Sequence, residues 1–181
     1  MTLVSVANIV LSSATVVGQI GIGFLVATIL FRRRTALGHI SRNAIVLSFI
    51  IALSATLGSL FYSEIIGYEP CKLCWFQRIF MYPEVILLGT LLWKKHGAGI
   101  VDGSIILSII GTAIALYHYL LQIGLASALP CSATGYSVSC SERFVMSFGY
   151  ITIPLMTLTA FVLITFLLGI SKIHEKPDTK I

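Results

Sequence analysis

Long stretches without charge are what most limit the folds open to this chain. Asn8 to Phe31, Ile105 to Leu125 and Tyr150 to Ile170 contain no Asp, Glu, Lys or Arg, Ile45 to Ile66 contains only Glu64, and Ile79 to Trp93 only Glu84. A helix needs roughly 20 apolar residues to cross the hydrocarbon of a bilayer. Five spans are therefore predicted. The fifteen-residue third is the shortest, and because Pro83 and Glu84 interrupt it, its helix is expected to start nearer Cys74, with Trp75, Phe76 and Tyr82 as interfacial aromatics. A composition that is 57% hydrophobic and only 10% charged agrees, since soluble domains carry roughly 25% charge.

Backbone groups inside a bilayer must bond within their own segment, and the alternating short strands of a barrel are absent from the sequence, so the fold class is an all-α antiparallel bundle. The connections are short and no linker or repeat interrupts them. We read residues 1–181 as a single membrane domain, with the first span and its basic connection in 1–44, the four later spans in 45–170 and a tail in 171–181. Gly18, Gly21 and Gly23 in the first span, and Ser48, Ala52, Ser54, Ala55, Gly58 and Ser59 in the second, give small faces suited to close helix packing. The first span reads as a retained helix and not a cleaved signal peptide, because its basic cluster follows the apolar run instead of preceding it.

A formal charge of +5 does not point to nucleic acid, because the basic residues lie between spans and not in one aromatic-laced patch. Arg32, Arg33, Arg34 and Arg42 fall in the first connection, Lys94 and Lys95 in the third, and Lys172, Lys176 and Lys180 in the tail. Only Lys72, Arg78 and Arg143 fall at the opposite end. The positive-inside rule then makes the first end cytoplasmic and sets the N-terminus and both cysteine-bearing segments outside, in a multi-pass protein of the cell membrane. All four cysteines thereby face the oxidising side, an agreement that charge counting did not presuppose.

Cys71-Lys72-Leu73-Cys74 at the edge of the third span is a redox-type pair, with Arg78 one helical turn beyond the second thiol. Spacing favours pairing Cys71 with Cys74 and Cys131 with Cys140, while two structural disulfides remain an open alternative. A zinc site is weakly signalled, for no histidine lies in either outer loop. Cys74 near a helix N-terminus, with Arg78 at i+4, has the surroundings that favour a thiolate. In the fourth span Tyr117, His118 and Gln122 interrupt an apolar helix, and His118 and Gln122 share a face. Intramembrane polar groups either serve function or bond between helices, and both readings stay open here. Placed at the depth of Cys74 and Arg78, they would line a pocket for a polar-headed, lipid-soluble electron acceptor such as a quinone. Haem fits less well, since no Cys-x-x-Cys-His motif is present and His118 is the only histidine within a span. The loop Ala126 to Gly149 holds Cys131 and Cys140, and its segment Ser141 to Phe148 reads equally as a short surface helix or as irregular chain.

Taken in order, Pro70-Cys71-Lys72-Leu73-Cys74-Trp75-Phe76-Gln77-Arg78, Met81-Tyr82-Pro83, Tyr117-His118-Tyr119 with Gln122, Cys131, Cys140 and Gly149-Tyr150-Ile151-Thr152-Ile153-Pro154 resemble the DsbB family of disulfide-bond formation proteins, most closely its BdbC-type members. The resemblance covers about Ile45 to Ile170. It implies a membrane thiol oxidoreductase that reoxidises an extracytoplasmic DsbA- or BdbD-like thioredoxin-fold protein and passes electrons to a quinone, ubiquinone or menaquinone. It further implies that Cys131 and Cys140 meet the partner, that Cys71 and Cys74 receive the electrons, and that Cys74, Arg78, His118 and Gln122 serve the quinone. The quinone-linked relay of VKOR-type proteins places its Cys-x-x-Cys after the loop cysteines, the reverse of the order here. The family's usual core is four helices, which makes the first span an addition, and the Cys131 to Cys140 interval is short for its proteobacterial members.

Overall fold

Hydropathy and the need to close backbone hydrogen bonds produce five long helices in the computed structural model, which describes residues 3–94, 97–126 and 139–175. They are α1 (Leu3–Leu30), α2 (Arg34–Leu60), α3 (Lys72–Lys94), α4 (Ala98–Gln122) and α5 (Ile153–Glu175). Four of these are long and apolar enough to cross a membrane. The exception is α3, whose length of 23 residues suffices but which carries Lys72, Arg78, Glu84 and Lys94. As expected from Pro83, this helix starts well before the apolar run, at Lys72. Helix α5 continues past Ile170, the expected end of the fifth span, to Glu175.

Short connections force antiparallel neighbours, and α2, α3, α4 and α5 close into a ring in that order. Its centre is filled by Phe161, Leu88, Ile164 and Leu168, all fully buried. Gly111 lets α4 approach α5, because a Cβ there would stand 2.4 Å from Cζ of Phe161. Helix α1 lies outside this ring, packed mainly on α5 and only lightly on α2. Gly18 makes its seat, with a Cβ there only 3.0 Å from Cγ2 of Thr159; Gly23 faces no neighbour. The small residues of the first span therefore serve packing at Gly18 and not at Gly23.

All the irregular structure that matters for chemistry gathers at one end of the bundle. Helix α2 runs on into a π turn at Phe61–Ile65, a widening frequent at functional sites. Gly67, at φ 81°, lets the chain turn away towards Cys71. Helix α4 ends at Gly124, φ 82°, where the Leu125 N–H bonds back to the Leu120 carbonyl, a left-handed stop that only glycine adopts cheaply. Beyond it, residues 139–152 are irregular and hold a single bridge between Ser147 and Ile151. Of the two readings of Ser141 to Phe148, the surface helix is thus not formed: Gly149 and Phe148, both at positive φ, bend the chain into a tight turn. Cys131 lies outside the described residues.

Candidate functional site: a dithiol between two cavities

Cys71 occupies the cap position of α3, its carbonyl accepting the Trp75 N–H at 3.2 Å, and Cys74 lies one turn in. This places both sulfurs at the helix N-terminus. The Cys71 thiol donates to Sγ of Cys74 at 3.2 Å. That hydrogen bond, and burial after it, push Cys71 up from an ordinary 9.0 to about 12, so the proton stays on Cys71.

His118 reaches the pair from α4 and is almost wholly buried. Its Nδ1 meets Nε2 of Gln77 at 2.9 Å, and its Nε2 lies 3.1 Å from the Cys140 carbonyl and 3.7 Å from Sγ of Cys71. A carbonyl only accepts and an amide N–H only donates, so the arrangement assigns the Nε2–H tautomer. His118 thus joins three segments: α3 through Gln77, the dithiol, and the loop that carries Cys140. Gln122, one turn on, donates to the Glu142 carbonyl at 2.8 Å, while Arg143 donates to the Gln122 carbonyl. These bonds moor residues 139–145 against α4. Cys140 is buried in one apolar cluster with Cys71 and Leu121.

Arg78 sits on the other side of the dithiol. Its Nε donates to Oγ of Ser59 at 2.9 Å and its Nη2 to the Ser59 carbonyl at 3.1 Å, and its guanidinium lies 5.2 Å from the Trp75 ring centre. Ser59 takes two of five N–H donors. The group is held in place while lining a cavity of about 60 Å³ with Cys74, Gln77, Met81 and Tyr82. The Tyr82 hydroxyl is buried and meets no hydrogen-bond partner among the described residues. Tyr62, Tyr68 and Phe144 form the roof: Tyr62 and Tyr68 stack at 5.9 Å, and Tyr68 and Phe144 at 4.8 Å.

The expected constellation is therefore split by the dithiol. Cys74 and Arg78 meet at this cavity, whereas His118 and Gln122 line a smaller one with Cys71, Cys74 and Glu142. Helical periodicity correctly put His118 and Gln122 on one face, but that face turns to the loop. Sequence reasoning missed Tyr82 as a site residue, although Cys74, Arg78 and Tyr82 follow an i, i+4, i+8 spacing that places them on one side of α3. It also missed Gln77 and Ser59, which orient His118 and Arg78. The sulfurs of Cys71 and Cys74 and a ring nitrogen of His118 lie within 4.8 Å of one another, a spacing that metal sites also use. Here Nδ1 accepts from Gln77 and Nε2–H is turned to a carbonyl, which leaves no imidazole lone pair for an ion.

A helical membrane bundle with a Cys-x-x-Cys dithiol at its edge, facing a second cysteine segment across a buried histidine, defines the class as a membrane thiol-disulfide protein. Residues 41–171 match the family described as disulfide bond formation protein DsbB, and the chain belongs to that family. It is 46% identical over 110 residues to the probable disulfide formation protein C 1 of Bacillus anthracis, covering 61% of this chain and 78% of that one. To the probable disulfide formation protein C of Halalkalibacterium halodurans it is 41% identical over 136 residues, 74% of this chain and 96% of that one. To the disulfide bond formation protein C of Bacillus subtilis it is 41% identical over 127 residues, 69% and 89%. No solved structure matches. Helix α1 lies ahead of the family match.

Proposed function

We propose that this protein is a protein-dithiol:quinone oxidoreductase, which reoxidises an extracytoplasmic DsbA- or BdbD-like thioredoxin-fold partner and delivers the electrons to a membrane quinone. The observation that carries the reading is a dithiol whose second sulfur lines a cavity with a fixed guanidinium and an unsatisfied phenol. Those donors suit a ring with carbonyl oxygens. A buried hydroxyl without a partner costs about 1–3 kcal/mol, a cost that a carbonyl acceptor beside Tyr82 would offset.

A bound quinone supplies a two-electron, two-proton sink. Closing the Cys71–Cys74 disulfide releases two electrons and two protons, which balances that uptake. Cys74 is the sulfur turned to the cavity, and Cys71 retains the proton until the pair closes. Arg78, anchored by Ser59, meets negative charge that develops at either the sulfur or the ring. On the other face His118 holds the Cys140 carbonyl against the dithiol, the path along which the loop pair would pass electrons inwards. In this scheme Cys131 and Cys140 form the disulfide offered to the partner, with Cys131 as the site of the mixed disulfide.

The end bearing the dithiol is proposed to face outward, since Arg32, Arg33 and Lys172 lie at the other end. The decisive assay mixes the purified protein, a reduced thioredoxin-fold partner and a quinone, and follows partner oxidation together with quinol formation. Both should proceed in a ratio of one disulfide to one quinol. Turnover retained by Cys74→Ser would sink the assignment. Two structural disulfides, the rival reading, would leave Cys71 and Cys74 unreactive to thiol labels in membranes starved of quinone, where a relay accumulates the dithiol.

A further inference from the structure

A second cavity, of about 230 Å³, adjoins the first. Ala55, Ser59, Tyr62, Ile153 and Thr157 line both, so the two meet along these residues. The larger one lies between α2 and α5 and is closed on its third side by α1, through Leu11, Ala14 and Gly18. Its origin is the asymmetric seat of α1. Gly18 brings this helix tight against α5, while towards α2 it is held off at the cysteine end by Leu11, which faces Gly58, and by the Tyr62 hydroxyl, which donates to Oδ1 of Asn8 at 2.8 Å. Ser54 and Gly58 on α2 are too small to fill the gap that remains.

The wall chemistry specifies the occupant. Thr15, Thr157 and Thr159 each turn their hydroxyl back to a carbonyl of their own helix, to Leu11, Ile153 and Leu155 respectively. Their hydroxyls are thereby satisfied within their own helices and need no partner from the groove. From Tyr62 to Ile50 the groove follows α2 for about 18 Å at roughly 1.5 Å per residue, more than half the thickness of the hydrocarbon. It thus takes a long chain with no hydrogen-bonding groups, whose polar head lies in the cavity of Cys74 and Arg78.

We infer that α1 is the outer wall of a binding groove for the polyprenyl tail of the quinone. This rests on the quinone reading above and gives a purpose to the helix that precedes the family match. The ring cavity recognises the head, and α1 adds recognition of the tail. A quinone reduced without a tail should not sense α1 at all.

The test uses the full chain with Ala14→Phe, which puts a ring into the groove, and Val17→Phe as the control, Val17 being 68% exposed and not among the residues that line the groove. Two quinones with one ring are compared, one bearing a long polyprenyl tail and one a single isoprene unit. Equilibrium binding in detergent and the amount of long-tailed quinone retained through purification are both measured. In Ala14→Phe the long-to-short affinity ratio should fall by about fivefold or more, retained quinone should fall with it, and Val17→Phe should match the wild type. An unchanged ratio overturns the groove. Loss of bound phospholipid with quinone retained overturns it too, in favour of an acyl chain as occupant. Wild-type protein that binds and reduces neither quinone overturns the redox reading instead. If Ala14→Phe does not fold, Ser54→Phe fills the groove from α2 and is read by the same outcomes.

Discussion

Replacing Tyr82 by phenylalanine removes one oxygen and nothing else, in a residue that lines the cavity and whose buried hydroxyl meets no partner among the described residues. The two consequences have opposite signs. Without quinone, deleting an unsatisfied buried hydroxyl removes a penalty of about 1–3 kcal/mol, so the variant should be as stable as the wild type or more so. With quinone, it loses a hydrogen bond worth about 0.5–1.5 kcal/mol, which corresponds to roughly a two- to twelvefold weaker affinity. Thermal unfolding in detergent reports the first, and quinone titration with the apparent KM reports the second. A destabilised Tyr82→Phe with unchanged quinone affinity would refute the reasoning, for it would mean that the hydroxyl serves the fold and not a ligand.

Cys71 is raised from 9.0 to about 12 in the folded dithiol, so its bound proton contributes stability in full below about pH 9 and loses that contribution between about 9 and 12; iodoacetamide labelling of Cys71 should accordingly show no rise near pH 9. In Cys74→Ala the rise should return towards 9, since the hydrogen bond to Cys74 is the larger cause. His118→Ala frees the Cys140 loop from the dithiol and should slow partner-driven turnover by about tenfold or more, with much less effect on oxidation of the Cys71–Cys74 dithiol by quinone alone, and stopped-flow kinetics of the two half-reactions would separate them. Equal loss in both would place His118 at the quinone. Gly111→Ala pushes a Cβ to 2.4 Å from the fully buried Phe161 and should cost about 1–3 kcal/mol, read as a lower unfolding midpoint in detergent.

What could be read from the sequence was whatever depends on a single helix. The number of long helices, the early start of α3 before Pro83, the gathering of Cys71, Cys74 and Cys140 at one end, and the neighbourhood of Cys74 and Arg78 all follow from hydropathy, charge and a 3.6-residue repeat. The rotation of one helix against another is a different kind of fact. His118 and Gln122 share a face by spacing, but only the closed order of α2 to α5 turns that face to Cys140 and Glu142. Tyr82 was legible as an interfacial aromatic and not as a ligand group, because its lack of a partner is a property of its surroundings. The groove was likewise hidden, since it arises from how far α1 stands from α2.

The stack of Tyr62, Tyr68 and Phe144 spans three separate segments: the π turn of α2, the linker to α3 and the Cys140 loop. In the proposed scheme, a loop that swung out to meet a partner would carry Phe144 with it and strip that ring from the roof, at a cost of about 0.5–1.5 kcal/mol for the aromatic pair. The two faces of the dithiol are then mechanically geared. Under the proposed scheme, an excursion of the loop to a partner would also unroof the chamber proposed for the quinone, so a bulky partner on the surface would act at the same moment as both donor and latch.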